Sequence, residues 1–305
     1  MTRTLPGTRA LRTFEAAARH LNFTRAADEV GLTPAAVSYQ IKEIEDQLGI
    51  VLFARTSRSI QLTPAGAVLL EATTEALGTL QRAAGRARRI AARESNQLRL
   101  SLGARLATHW LLPRLPRFRA ACPGQELTLD VTDQVRDFDA DDIDVAIRFG
   151  PGKYPETRSH RLFDAVVAPV CSPALLANGP PLREPRDLFQ HTLCYVDCTV
   201  NDIVWPNWRM WMNAAGITEF DDSRCVGFAD SSHVVQAILD GNAVGLVELA
   251  MIAGDRAQGR LVKLFDIELT PAPGYAYHLV YPTSSADDPR VAAFRQWILE
   301  EIARA

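Results

Sequence analysis

The sequence predicts an α/β chain in three parts: a helical head closed by a small hairpin, one long helix, and a larger body of alternating strands and helices. Three observations carry that reading. Residues 23–48 hold two helical stretches about a Gly-Leu-Thr-Pro turn, residues 64 to about 93 hold one unbroken apolar stripe, and from residue 98 short apolar strands alternate with helical segments. At 305 residues the chain exceeds what one small core organises, and it divides into residues 1–63, 64–97 and 98–305.

In the head, Ala26 and Ala27 are small enough for a following helix to cross close by, and Gly31 supplies the backbone freedom for a tight turn at Leu32. Thr33 then caps a new helix with Pro34 at its first position, where the missing N–H costs nothing. Val37, Ile41, Ile44 and Leu48 recur at three- and four-residue spacing and face inward, leaving Ala35, Ser38, Tyr39 and Lys42 outward. Residues 52–63 alternate like a hairpin, with Leu52, Ile60 and Leu62 inward and Arg55 and Arg58 at the tip. Either helix alone would pass for part of an ordinary helical subdomain with solvated arginines. The ordered combination is a winged helix-turn-helix, a module that docks its second helix in the major groove of duplex DNA. Thr33, Ala35, Ser38 and Tyr39 are the candidate base-facing residues, and Lys42, Arg55 and Arg58 the candidate phosphate or minor-groove contacts. Thr24, Arg25 and Pro34 belong to the same expected interface.

The runs Leu11-Arg12-Thr13-Phe14, Ser38-Tyr39-Gln40-Ile41-Lys42-Glu43-Ile44-Glu45, Leu48-Gly49, Leu52-Phe53-Ala54-Arg55 and Leu62-Thr63-Pro64-Ala65-Gly66 closely resemble LysR-type transcriptional regulators. The resemblance is specific over the first ~95 residues and architectural beyond residue 98. Leu111-Leu112-Pro113-Arg114-Leu115 and Asp144-Val145-Ala146-Ile147-Arg148 resemble the subgroup around the glycine-cleavage and β-lactamase regulators.

Charge agrees with a division of labour. Residues 1–97 carry 13 Lys/Arg against 9 Asp/Glu, and residues 98–305 carry 20 against 27. No stretch approaches the ~18 apolar residues that cross a bilayer. The first residues lack the apolar centre of an export signal, and five irregularly spaced cysteines do not make a disulfide framework. A cytoplasmic chain without membrane contact is expected.

The long helix carries Leu69, Ala72, Ala76, Leu80, Ala83, Ala87 and Ile90 on one stripe, with arginines on its other faces. A helix of ~30 residues runs ~45 Å, more than a small domain covers. Its stripe packs either on the body or on a second copy of itself. The resemblance implies the second: a dimerisation helix, a homodimer that assembles to a homotetramer, and paired heads on an interrupted palindrome. RNA polymerase is a further partner that a regulator of this kind implies.

In the body, strands are expected at residues 98–103, 127–131, 144–148, 163–169 and 245–249, and a helix through residues 110–118, a rhythm that implies a mainly parallel sheet. A last helix begins at Asp288-Pro289 and buries Val291, Phe294, Trp297, Ile298 and Ile302. The resemblance implies a periplasmic-binding-protein-like fold: one lobe of residues 98–169 and 271–305, a second of 170–270. It also implies a small-molecule effector between them that alters DNA affinity or bending. Ligands of such sheets sit beyond the strands' carboxyl ends. Candidates there are Ala104, Arg105 and Leu106 at a helix start suited to a carboxylate; Arg148, Phe149 and Gly150; Tyr195 and Asp197; Asp230, Ser231 and Ser232; and Val247 and Glu248. Arg105 is either a ligand contact or solvated, and helix capping alone explains Ser231 and Ser232 as readily as binding does. Glu248 in an apolar run needs a partner; with the helix start it would suit a zwitterion such as an amino acid.

Two other functions compete. His191, Cys194 and Cys198 lie close in sequence and invite a zinc or thiol-switch reading, though a fourth ligand is not evident and buried cysteine is by default a small hydrophobe. An α/β enzyme with an accessory DNA-binding head is the second. The six histidines are scattered, and no Gly-rich phosphate loop, Gly-x-Ser-x-Gly elbow or paired-carboxylate motif appears, so neither catalysis nor a cofactor or metal is expected.

Overall fold

The second and third helices of the head each start where a short polar side chain satisfies free N–H groups. In the computed structural model, which describes residues 5–55, 60–92 and 96–304, the first three helices are α1 (Thr8–His20), α2 (Phe23–Val30) and α3 (Pro34–Leu48). Asn22 Oδ1 caps α2 by accepting from the N–H groups of Thr24 (2.9 Å) and Arg25 (3.1 Å), and Thr33 Oγ1 caps α3 by accepting from Ala36 N–H (3.2 Å). Gly31 closes α2 at a φ of +67°, the left-handed geometry expected of it. Phe14, Ala26, Ala27, Val37, Ile41 and Ile44 are buried together, so the two alanines do let α2 lie close to its neighbours.

A hairpin of β1 (Phe53–Arg55) and β2 (Ile60–Leu62) pairs Phe53 with Leu62 and Arg55 with Ile60. Leu52 is fully buried, whereas Ile60 and Leu62 are half-buried and Phe53 carries the packing the alternation gave to them. Its ring meets Phe14 and Phe23 edge-on at 5.8 and 5.6 Å. Arg58 lies outside the described residues.

Next comes α4 (Pro64–Ala92). Leu69 and Leu70 pack on the head core, while Ala72, Ala76, Leu80, Ala83 and Ala87 are exposed, Leu80 by 57 %. By internal contacts the chain forms two compact units, Met1–Arg88 and Arg89–Ala305.

The second unit holds two five-stranded sheets. The first has strand order β4 (Glu126–Val131), β3 (Gln97–Leu102), β5 (Val145–Gly150), β14 (Ala276–Pro282), β6 (Thr157–Phe163). The other is β11 (Cys225–Phe228), β8 (Leu193–Val196), β12 (Val244–Glu248), β7 (Val167–Cys171), β13 (Val262–Lys263). A small hairpin, β9 (Thr199–Val200) and β10 (Ile203–Val204), follows β8. The helices are α5 (Ala104–Leu106), α6 (Leu115–Ala121), α7 (Pro173–Asn178), α8 (Trp208–Ala214), α9 (Ser231–Leu239), α10 (Ala253–Ala257) and α11 (Pro289–Ala303). Asp288 caps α11, which buries Val291, Phe294, Trp297 and Ile298; Ile302 is half-buried.

Two expectations change. The sheets are mixed: β3 and β8 pair in parallel with both neighbours, but β14 and β7 pair antiparallel with both of theirs. These are the strands by which the chain returns to the first sheet and enters the second. The single strand expected over 163–169 is two strands in different sheets, parted by residues 164–166. The polar Thr157–Phe163 forms an edge, and the fully buried Val167–Cys171 forms an interior strand.

Candidate functional site

The head presents one candidate interface. Ala35, Tyr39 and Lys42 are exposed along one face of α3, with Ser38 half-buried between them. Tyr39 is 70 % exposed, far more than an aromatic side chain with a packing role. Thr24, Arg25, Thr33 and Pro34 are exposed at the starts of α2 and α3. The hydroxyl of Thr33 is already engaged as a cap, so its methyl remains for a base. Arg55 is the last residue of β1. Sequence reasoning missed Glu45: from α3 it reaches the wing, its Oε1 accepting from the N–H groups of Leu52 (2.7 Å) and Phe53 (3.1 Å). It thereby fixes the wing to the helix that would enter the groove.

The body holds a cleft of about 210 Å³ between its two sheets. Ala104, Arg105, Leu106, Arg148, Phe149, Asp230 and Ser231 line it, as expected of strand ends. Gly150, Tyr195, Asp197, Ser232, Val247 and Glu248 do not. Gly150 backs onto the Tyr154 hydroxyl, and Tyr195 and Asp197 face Gly227 of β11. The Ser232 hydroxyl is instead bonded to His109 Nε2 at 3.2 Å, and Val247 is buried.

Other lining residues escaped the sequence. Thr132, Asp133 and Gln134 follow β4 and obey the same strand-end rule, which should have found them. Asn201 and Trp205 come from the β9–β10 hairpin, whose signal was Asn201-Asp202 at φ of +51° and +61°. Tyr277 lies in the antiparallel β14, where that rule does not apply.

Arg105 is the most constrained cation of the cleft. Its guanidinium lies 4.3 Å over the Trp205 ring, its Nη2 donates to Cys198 Sγ at 3.3 Å, and its Nη1 stands 3.5 Å from Glu248 Oε2. Burial works against its charge, the Glu248 carboxylate beside it favours it, and on balance its pKa is raised. Glu248 is therefore not the ligand contact expected of it: it is buried behind Arg105, and Tyr277 donates to its Oε2 at 3.2 Å. Burial pushes its carboxyl up to about 7, against the opposing pull of Arg105 and Tyr277.

The helix start at Gly103 is not an open carboxylate site either, because a Cβ on Gly103 would stand 2.7 Å from Asp133 Oδ1. The cleft thus pairs two cations, Arg105 and Arg148, with two acids, Asp133 and Asp230. Asp230 caps α9, and the N–H of Ser232 holds its carboxyl below the usual range. Arg148 donates to the Arg136 carbonyl and lies 4.8 Å over Phe138; burial lowers its pKa.

Nothing activates the cysteines. Burial pushes the Cys194 thiol up to about 12 and raises that of Cys198 despite Arg105, whereas a redox-sensing thiol needs a depressed pKa. Among the described residues no group of three or more His, Cys, Asp or Glu could hold a metal ion, and no helix is long and apolar enough to cross a membrane.

Comparison with known proteins gives two family matches: residues 8–67 to the bacterial regulatory helix-turn-helix protein, lysR family, and residues 91–303 to the LysR substrate binding domain. The chain is 40 % identical over 304 residues to the glycine cleavage system transcriptional activator of Escherichia coli (strain K12), covering 99 % of this chain and 96 % of that one. It is 36 % identical over 296 residues to the HTH-type transcriptional activator AmpR of Citrobacter koseri, covering 95 % and 96 %. The effector domain of AmpR of Pseudomonas aeruginosa matches with a TM-score of 0.53 and 31 % identity over 68 % of this chain and 96 % of that one. CrgA, a LysR-type transcriptional regulator from Neisseria meningitidis, shares the fold over 97 % and 99 % at a TM-score of 0.52 and 20 % identity.

Proposed function

From the premise that this chain belongs to the LysR family and is a DNA-binding transcriptional regulator with an effector-binding domain, we propose that its effector is a small zwitterion of the amino-acid type. The observation that carries this is the cleft's composition. Arg105 and Arg148 suit a carboxylate, Asp133 and Asp230 suit an ammonium group, and Phe149, Trp205 and Tyr277 supply apolar walls. A simple carboxylate is the weaker candidate, because Asp133 already faces the helix start. The lobes are residues 98–163 with 276–305, and 167–263, and the ligand is bound and released unchanged.

On DNA, the chain acts as a homodimer joined through α4, whose Ala72, Ala76, Leu80, Ala83 and Ala87 are apolar and exposed. Two dimers form the homotetramer. The paired heads read an interrupted palindrome through Thr33, Ala35, Ser38 and Tyr39. Lys42, Arg55, Arg58, Thr24 and Arg25 hold the backbone, and the assembly acts on RNA polymerase bound nearby. Isothermal titration of the full chain with glycine, acetate and methylammonium tests the effector class. Glycine should bind at least tenfold more tightly than either half alone, and equal binding of acetate would refute the zwitterion reading.

A further inference from the structure

We propose that Glu248 is the positioning residue of the cleft: by gaining or losing a proton behind Arg105, it orients that guanidinium and sets how much of its charge an anionic ligand group meets. This builds on the reading of the cleft as the effector site.

The partners come from opposite lobes. Arg105 follows β3, Glu248 ends β12, and Tyr277 lies in β14. The Glu248 side chain is 2 % exposed and that of Arg105 17 %. Their 3.5 Å separation is longer than a charge-assisted hydrogen bond of 2.7–2.9 Å would be, so the carboxylate is held by one hydrogen bond from Tyr277 and one stretched ion contact. Its second oxygen, Oε1, has no hydrogen-bond partner among the described residues, and neither has Ser231 Oγ. Both residues line a cavity of about 10 Å³ behind the cleft, room for about one water-sized group, whose other walls are largely apolar. A carboxylate offers about four acceptor sites, so this one is poorly solvated, and protonation at Oε1 costs it little.

The consequence follows from charge. Ionised, Glu248 neutralises Arg105 from behind; protonated, it leaves the whole guanidinium charge to the cleft. An anionic group arriving beside Arg105 therefore draws one proton from the buffer onto Oε1. Tyr277 and Cys198 also face this cluster, and burial keeps both protonated. On the cleft side stand Asp133, Asp230 and Arg148. His109, near Arg105 and Asp230, titrates below its ordinary value because it is buried.

The emission of Trp205, under Arg105, reads the cluster without any ligand. It is taken on the full chain as the difference between a protein and its Trp205→Phe counterpart from pH 5 to 9. The wild type should give a step near 7, and Glu248→Gln should lose that step while keeping any His109 step on its acid side. No step in the wild type, or the same step in Glu248→Gln, overturns the proposal. Should Glu248→Gln fail to fold, Tyr277→Phe removes the hydrogen bond that favours the carboxylate. The step should then move to higher pH, and an unmoved step overturns the proposal equally. With acetate as probe, the wild type should bind about tenfold more tightly at pH 6 than at pH 8, the ratio of protonated fractions for a group titrating at 7. Glu248→Gln should lose that ratio, and an equal wild-type affinity at both pH values overturns the proposal. A Glu248-dependent step together with acetate binding unaffected by Arg105→Ala would instead refute the effector-site reading and leave Glu248 as the residue that holds Arg105.

Discussion

Gly66 lies in the first turn of α4 where the helix crosses the wing, and it has no room for a side chain. A Cβ there would stand 2.3 Å from the Leu52 carbonyl oxygen and 2.8 Å from Leu62 Cδ2. The leucine methyl can rotate away, but the carbonyl cannot. Leu52 O accepts from Thr63 N–H at 2.9 Å and from Thr63 Oγ1 at 3.2 Å, and Leu52 N–H is held by Glu45 at 2.7 Å. A carbon-to-oxygen contact needs about 3.3 Å, so Gly66→Ala must push α4 and the wing about 1 Å apart. Overpacking of this kind costs about 1–3 kcal/mol, less the ~1 kcal/mol by which Ala improves the helix. The net cost is then up to about 2 kcal/mol, which for a domain of this size lowers Tm by up to about 15 °C. Thermal unfolding and gel retardation of the full chain on its own upstream promoter fragment should register both a less stable head and weaker DNA binding, because the strand carrying Arg55 moves. Gly245→Ala is the control. Its Cβ would meet Ile238 Cδ1 at 2.2 Å, Ile238 Cγ1 at 2.7 Å and Val234 Cγ1 at 3.1 Å, all in the buried core of the body, so it should lower Tm but leave retardation intact. Unchanged Tm and undiminished retardation for Gly66→Ala would refute the idea that this contact seats the wing.

Three further outcomes are expected. Glu248 ionises in the folded chain at about 7 against an ordinary 4.5, so the stability it contributes is complete below 4.5 and lost as pH rises through 7. At 1.36 kcal/mol per unit that is at most about 3 kcal/mol. Glu248→Gln should therefore gain on the wild type in Tm between pH 5 and pH 8, and a flat difference would show that the carboxyl titrates normally. Lys42→Ala should weaken promoter binding and lower the slope of log K against log salt by about 1, the value for one phosphate contact. Loss of affinity with an unchanged slope would move Lys42 off the phosphates. Leu80→Glu places a charge on the exposed stripe of α4 and should shift sedimentation equilibrium toward monomer; an unaltered mass would remove this stripe from the dimer contact.

What was legible depended on how local the cause was. The caps at Thr33 and Asp288, the turn at Gly31 and the inward run Val37, Ile41, Ile44 depend on neighbours within a few residues, and each stands as the sequence predicts. The strands that end at the cleft were legible for the same reason, together with Arg105, Phe149 and Asp230. What failed was pairing over long separations. Nothing near Glu248 says that its partner is Arg105, 143 positions earlier, or that Tyr277 shares it. Phe53 looked outward by alternation because the ring it meets, Phe14, lies in a helix 39 positions earlier. The order of strands across the two sheets was hidden too, since β14 and β7 take their direction from where the chain changes lobe.

The ties between the two lobes explain how a small ligand can have leverage over the whole body. Arg105 meets Glu248, His109 meets the Ser232 hydroxyl, and the Asn201 side chain donates to the Phe149 carbonyl at 2.9 Å. Phe149 also packs edge-on against Trp205 at 5.4 Å. Arg105, Asn201, Phe149 and Trp205 line the cleft itself, and Ser232 lies next to Ser231, which does. A molecule seated there therefore touches the residues that fix one lobe against the other, and it cannot bind without strengthening or competing with those ties. A ligand shifts a conformational equilibrium only by the difference in its affinity for the two states. A ligand that favours these interlobe contacts in one arrangement over another would couple its affinity to the angle between the lobes.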